Sequence, residues 1–135
     1  MPTALFVCPD NALLSLLAEG VFNRAPSPGW RSTSAGLTEA PHPDPRLSGL
    51  SLPLGLEGRY PRRVAEDLVA LARVVVFIHK EGPFGALPDY LSRRIDLRWS
   101  VPERDLETVE ALRSFLEGRM PEIKRLCEER TPRFL

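Results

Sequence analysis

The chain has 135 residues, a hydrophobic fraction of 43% and a charged fraction of 27%, with 18 basic and 18 acidic side chains. That length suits one compact domain over residues 1–135, and zero formal charge gives no sign of nucleic acid or an anionic membrane surface as partner. No apolar run approaches the roughly 20 residues of a membrane span, and no basic leader opens the chain.

The two cysteines, Cys8 and Cys127, stand outside any CxxC or His/Cys cluster. No metal and no cofactor is therefore expected, and a reducing cytoplasm is the expected compartment. The 14 prolines, the preference for Arg over Lys and the scarcity of Asn and Gln fit a thermophilic source or GC-rich coding equally well.

Thr3 to Val7 (TALFV) is apolar without polar alternation and predicts a short buried strand. Cys8 to Ala12 is a tight polar turn. Leu13, Leu16, Leu17 and Val21 recur at helical spacing, so Ala12 to Arg24 predicts an amphipathic helix. APSPG (Ala25–Gly29) breaks it, and Trp30 to Ser34 predicts a second strand closing on Ser34-Ala35-Gly36. Thr38 to Pro45 (TEAPHPDP) reads as a proline-rich loop holding His42, and Pro45 to Leu56 as a short helix loosened by Gly49, Pro53 and Gly55.

Pro61 stands where the next helix would begin, with Val64, Leu68 and Leu71 as its buried face. Val74 to Ile78 (VVVFI), β-branched and unbroken, is expected at the middle of a sheet. Gly82 to Pro88 predicts a loop and Ile95 to Trp99 the last strand. Asp105 is expected to cap a final helix that turns Leu106, Val109 and Leu112 inward, kinked or divided at Pro121. Cys127 on that helix reads as a packing residue, and Trp30 and Trp99 as core or crevice walls.

Strands alternating with helices predict an α/β domain: a three-layer arrangement with a mostly parallel four-stranded sheet and helices on both faces. Ligands in such folds bind beyond the C-terminal ends of the strands. Val7-Cys8 and Ile78-His79-Lys80 would face one crevice if their strands are parallel neighbours.

The segment LFVCPDNALLSLLAEGVFN followed by STSAG resembles the opening of the low-molecular-weight protein tyrosine phosphatases and of the thioredoxin-coupled arsenate reductases that share their fold. In those proteins a strand ends in Cys, five residues and an Arg follow, then Ser or Thr, an Ala-Glu pair and a Ser-Ala-Gly turn. Cys8, Asn11, Ser15, Ala18-Glu19 and Ser34-Ala35-Gly36 fall into that order, and PRRVAEDLVALARVVVFI and RWSVPERD resemble later segments. The resemblance implies an anion-binding loop of Cys8, Pro9, Asp10, Asn11, Ala12, Leu13, Leu14 and Ser15, with Cys8 as nucleophile and Glu103 where the general-acid Asp falls. It departs at Leu14, where Arg is expected, at Arg104, where Pro is expected, and at Arg73, where Asp usually precedes the central strand. Arsenate reductases also need further cysteines, and none lies between Cys8 and Cys127.

The chemistry explains why Leu14 matters. Loop amides and a helix N-terminus lower a thiol pKa and hold phosphate oxygens. An Arg fork grips two oxygens and carries transition-state charge, and an acid protonates the leaving group. Leucine supplies none of this, and Asp10 adds a negative charge beside the loop. His79 or Lys80 could compensate from the end of the central strand, whereas Arg73 lies at its far end. Asn11 is expected to brace the turn, and Ser15 to sit near the sulfur.

Three readings follow. The first is a phosphatase-like protein with weak or lost activity, acting as a binding or regulatory module for a phosphorylated protein or small oxyanion. The second is a working phosphatase for phosphotyrosine or small phosphomonoesters, using Cys8 with Glu103 or Asp105. The third is a redox-responsive thiol protein.

Overall fold

The computed structural model describes residues 2–49, 53–83 and 85–131. Four strands, β1 (Thr3–Cys8), β2 (Arg31–Gly36), β3 (Val74–Lys80) and β4 (Leu97–Val101), form one sheet in the order β2-β1-β3-β4. Every pairing is parallel, so the expected mostly parallel sheet is wholly so. Around it lie the helices α1 (Leu14–Arg24), α2 (Glu66–Leu71), α3 (Asp89–Ser92) and α4 (Val109–Glu129).

The two-residue period of a strand divides the core. Ala4, Phe6, Val74, Val76, Ile78 and Trp99 point to one face and pack with Leu16, Leu17, Phe22, Leu112, Leu116 and Ile123 of α1 and α4. Leu5, Val7, Val75 and Phe77 point to the other and meet Val69 and Leu91 of α2 and α3. Both faces are buried, which is why TALFV and VVVFI carry no polar alternation. Trp30 and Trp99 are core residues, each 2% exposed, and Cys127 is buried on α4.

Several expected boundaries move. The first helix starts at Leu14 rather than Ala12, because the polar turn keeps Asn11 at φ 56° and outside helical geometry. Pro45 to Leu56 holds only a 3-10 turn over Pro45–Leu47, capped by Asp44 accepting from Arg46 N; residues 50–52 lie outside the described residues.

The helix expected from Pro61 begins at Glu66. Before it, Arg63 bridges to Gly36 in parallel, with Gly36 N donating to Arg62 O at 2.8 Å and Val64 N to Gly36 O at 2.7 Å. The sheet therefore claims Arg62 to Val64 as an extended edge. The consequence for the helix face is a change of register: Val69 is buried and Leu71 is 79% exposed.

At the C-terminal end, Glu103–Leu106 forms a 3-10 turn. The cap of α4 is Thr108, whose side chain accepts from Ala111 N, not Asp105. Leu106 packs against the core from that turn, before the helix. Pro121 does not divide α4, which runs as one element from Val109 to Glu129. The short helix α3 was not expected; four residues are too few for a helical period to register in sequence. No helix among the described residues is long and apolar enough to cross a membrane.

Candidate active site

Parallel pairing sets the strand ends side by side. Cys8 pairs with Gly36, Val7 with Phe77 and Lys80 with Val101, so Cys8, His79, Lys80 and the Pro102-Glu103 exit of β4 share the C-terminal edge. Arg73 lies at the opposite edge, where its N–H donates to Thr3 O at 2.9 Å.

A strap holds the loop after Cys8. Leu37 N donates to Cys8 O at 3.0 Å, Thr38 N to Pro9 O at 2.9 Å, Ala40 N to Asp10 O at 3.0 Å and Asp44 N to Ala12 O at 2.9 Å. With its carbonyls drawn to the strap, a trans peptide turns the amides the other way. Gly36 allows this approach: a Cβ there would lie 2.4 Å from Thr38 O and 2.7 Å from both Asn11 N and Asp10 C.

Asn11 braces the turn from inside. It is buried, and at φ 56° it adopts the left-handed conformation that asparagine tolerates better than most residues. Its Nδ2 donates to Ser15 Oγ at 2.8 Å and Ser34 Oγ at 3.0 Å, and its Oδ1 accepts Arg62 N–H at 3.0 Å.

Cys8 is completely buried. Ser15 Oγ lies 2.9 Å from its sulfur, and Asn11 N donates to the sulfur at 3.2 Å. Burial pushes the thiol pKa up, with the Ser15 and Asn11 contacts opposing that shift. The apparatus for stabilising a thiolate is present, but the sulfur is withdrawn from water.

Three features subtract from an anion cradle. Pro9 has no N–H to offer. The Ala12 N–H is already donated to Asp10 Oδ1 at 3.1 Å. Leu14, the first residue of α1, is half-buried and packs against the core beside the buried Leu13.

Lys80 and Glu103 meet in a cavity of about 500 Å³ with Glu81, Leu106 and Glu107, and Cys8 is not among its described walls. His79 stacks on Phe77 with ring centroids 5.4 Å apart and pairs through Nδ1 with Lys80 O at 2.8 Å. Asp105 is held in its turn by donating its N–H to Pro102 O at 2.9 Å. His42 is an exposed loop residue. Among the described residues no cluster of His, Cys, Asp and Glu could hold a metal ion.

Sequence reasoning missed Glu19, Arg59 and Arg62 as parts of the site. Glu19 is buried within α1, accepts from Ser34 Oγ at 2.8 Å and pairs with Arg59 Nη2 at 2.8 Å. Arg62 donates from Nε to Ser34 O at 2.9 Å and from Nη2 to Thr33 Oγ1. An acid within an apolar helix face was the one signal that could have pointed to a partner cation.

A cysteine-headed loop running from the first strand into the first helix, on a four-stranded parallel sheet, is the fold shared by low-molecular-weight protein tyrosine phosphatases and arsenate reductases. Solved structures place the chain there. An arsenate reductase in its phosphate-binding state is similar at 21% identity and TM-score 0.74, covering 93% of this chain and 98% of that one. The arsenate reductase of Archaeoglobus fulgidus is similar at 24% and 0.70, covering 90% and 98%. A low-molecular-weight protein tyrosine phosphatase from T. tengcongensis gives 23% and 0.65, covering 96% and 99%. Structural similarity with identity this low shows the fold alone. No protein-family profile and no curated protein matches the sequence.

Proposed function

We propose that this chain is a low-molecular-weight-phosphatase-like protein whose loop holds oxyanions weakly and turns over phosphate esters slowly or not at all. It serves as a binding or regulatory module for a phosphorylated protein or a small oxyanion. The observation that carries this reading is Leu14, a hydrocarbon packed on the core at the helix position where the resemblance requires a guanidinium. Losing one preorganised donor from such a site costs about 10²–10³ in rate, and a permanently charged bidentate donor supplies more than a neutral one. Pro9 and the Asp10 carboxylate weaken the cradle further.

The second reading, a working phosphatase with Cys8 as nucleophile and Glu103 as acid, draws support from the Asn11 N–H donated to the sulfur and the Ser15 hydroxyl beside it, and from Glu103 lining one cavity with Lys80. Hydrolysis of p-nitrophenyl phosphate by the natural chain and by Cys8→Ser separates the two. Equal, background-level rates are expected; robust turnover that disappears in Cys8→Ser would establish the second reading instead.

A further inference from the structure

A second recess lies beside the strap. Arg59 N–H donates to Leu56 O at 3.0 Å, and Gly58 within that turn sits at φ 77°, a conformation glycine takes without strain. The turn sets Arg59 and Tyr60 across from the Pro43–Ser48 segment, and a cleft of about 330 Å³ opens between them. Asp44 in its wall is tied to the anion loop, with its N–H on Ala12 O at 2.9 Å. Cys8 is not among the described walls.

Leu16, Leu47 and Leu56, all buried, form an apolar side of the cleft. Pro43 and Tyr60, the latter 69% exposed, add rigid flat surfaces. Apolar walls with a few polar groups, at a volume of about 300 Å³ or more, are the composition of a small-molecule site.

The polar walls hold unused hydrogen-bonding capacity. Arg59 Nη2 donates to Glu19 Oε1 at 2.8 Å, while Arg59 Nε is buried with no partner among the described residues. A carboxylate has about four lone-pair sites. At Asp44, Arg46 fills three of them, through N and Nε on Oδ1 and Nη2 on Oδ2, so Oδ2 keeps one. Charge is already matched at both groups, Arg59 by Glu19 and Asp44 by Arg46. Glu57, exposed in the same wall, adds a negative charge. The described walls therefore offer a donor and an acceptor but repel an anion.

We propose that this cleft binds a small uncharged ring compound carrying a carboxamide. The ring lies on the leucines and Tyr60, the amide oxygen accepts from the Arg59 guanidinium, and the amide N–H donates to Asp44 Oδ2. The site is separate from the Cys8 loop and holds whether or not that loop binds phosphate.

The test is titration with benzamide, followed in proton–nitrogen correlation spectra at the backbone amides of Gly58, Arg59 and Tyr60 and at Arg59 Nε–H. Saturable shifts there are expected, with a Kd on the order of 1–10 mM for so small a molecule. Benzoate, the same ring with a carboxylate, should bind about fivefold more weakly, and Glu57→Gln should close most of that gap by strengthening benzoate. Arg59→Met should weaken benzamide at least about fivefold, the loss of one hydrogen bond to a charged group. If that variant does not fold, Tyr60→Ser, at an exposed ring, should weaken benzamide about threefold. Three results would each overturn the proposal: no shift up to about 50 mM benzamide, shifts centred on Asn11 and Ser15 instead, or benzoate binding as tightly as benzamide.

Discussion

The Asp10 carboxylate folds back over its own turn, and its Oδ1 accepts the Ala12 N–H at 3.1 Å. One loop amide that would face an incoming oxyanion already serves an anion belonging to the protein. A dianion entering this loop must displace that carboxylate or share the space with it.

Asp10→Gly should therefore raise phosphate affinity. A unit charge about 4 Å away in a water-screened site contributes about 1 kcal/mol, roughly fivefold in affinity. Titration with inorganic phosphate followed by calorimetry reads the change. The gain should shrink as salt is added, because the removed repulsion is electrostatic.

Restoring the fork tests the scaffold. Leu14→Arg should increase phosphate affinity at least about tenfold and p-nitrophenyl phosphate turnover by about 10²-fold, since the loop backbone and Ser15 are in place. It should also lower stability by about 1 kcal/mol, because half-buried apolar surface at Leu14 is lost. No kinetic gain in a folded variant would mean that the loop cannot present a guanidinium to phosphate.

Gly36→Ala should destabilise the protein by about 3 kcal/mol in chemical denaturation. The added methyl would strike backbone atoms of Thr38, Asn11 and Asp10 at 2.4–2.7 Å, and backbone cannot swing aside as a side chain can. The same variant should expose Cys8 and speed its alkylation at fixed pH. A loss of stability below about 1 kcal/mol would show that the strap and loop separate easily.

Both buried thiols give stability a dependence on alkaline pH. Burial raises the Cys127 pKa from its ordinary value of 9.0 to about 11, and burial moves Cys8 in the same direction. Above pH 9 the unfolded chain releases these protons while the folded chain keeps them, so the unfolded state binds fewer protons and stability falls. For Cys127 the contribution is whole below pH 9 and lost by the time pH passes about 11. Unfolding midpoints measured from pH 8 to 11 should decline, and less steeply in Cys8→Ser, which lacks one of the two groups; identical slopes would contradict a raised Cys8 thiol.

The fold was legible because both faces of the sheet are covered. TALFV and VVVFI are apolar with no polar alternation because the sheet is packed on two sides. The Leu spacing marked α1 as a helix, although Ser15 to Phe22 are all buried and the helix is covered all round rather than amphipathic. The position of Cys8 at a strand end before a helix was equally readable, since strand, turn and helix are contiguous in the chain.

The missing arginine was a statement about residue type and needed no coordinates. The braces of the loop are of another kind. Nothing within PRRV marks it as an edge that pairs with Gly36 rather than the start of a helix, because the choice is made by the unpaired N–H and C=O of a distant strand. Glu19, Arg59 and Asn11 meet only after α1 has docked on β2, across 40 residues between Glu19 and Arg59.

By itself, the sequence determined the sheet, the helix behind Cys8 and the absence of a guanidinium at position 14, because each rests on local pattern or on the identity of one residue. Tertiary structure alone decided that the thiol is sealed from water, against a hydrogen-bonded Asn11, Ser15 and Ser34 and the half-buried Arg59–Glu19 pair beyond them. Burial and hydrogen-bond direction depend on which distant segments close over a site, and no local stretch of sequence carries that information.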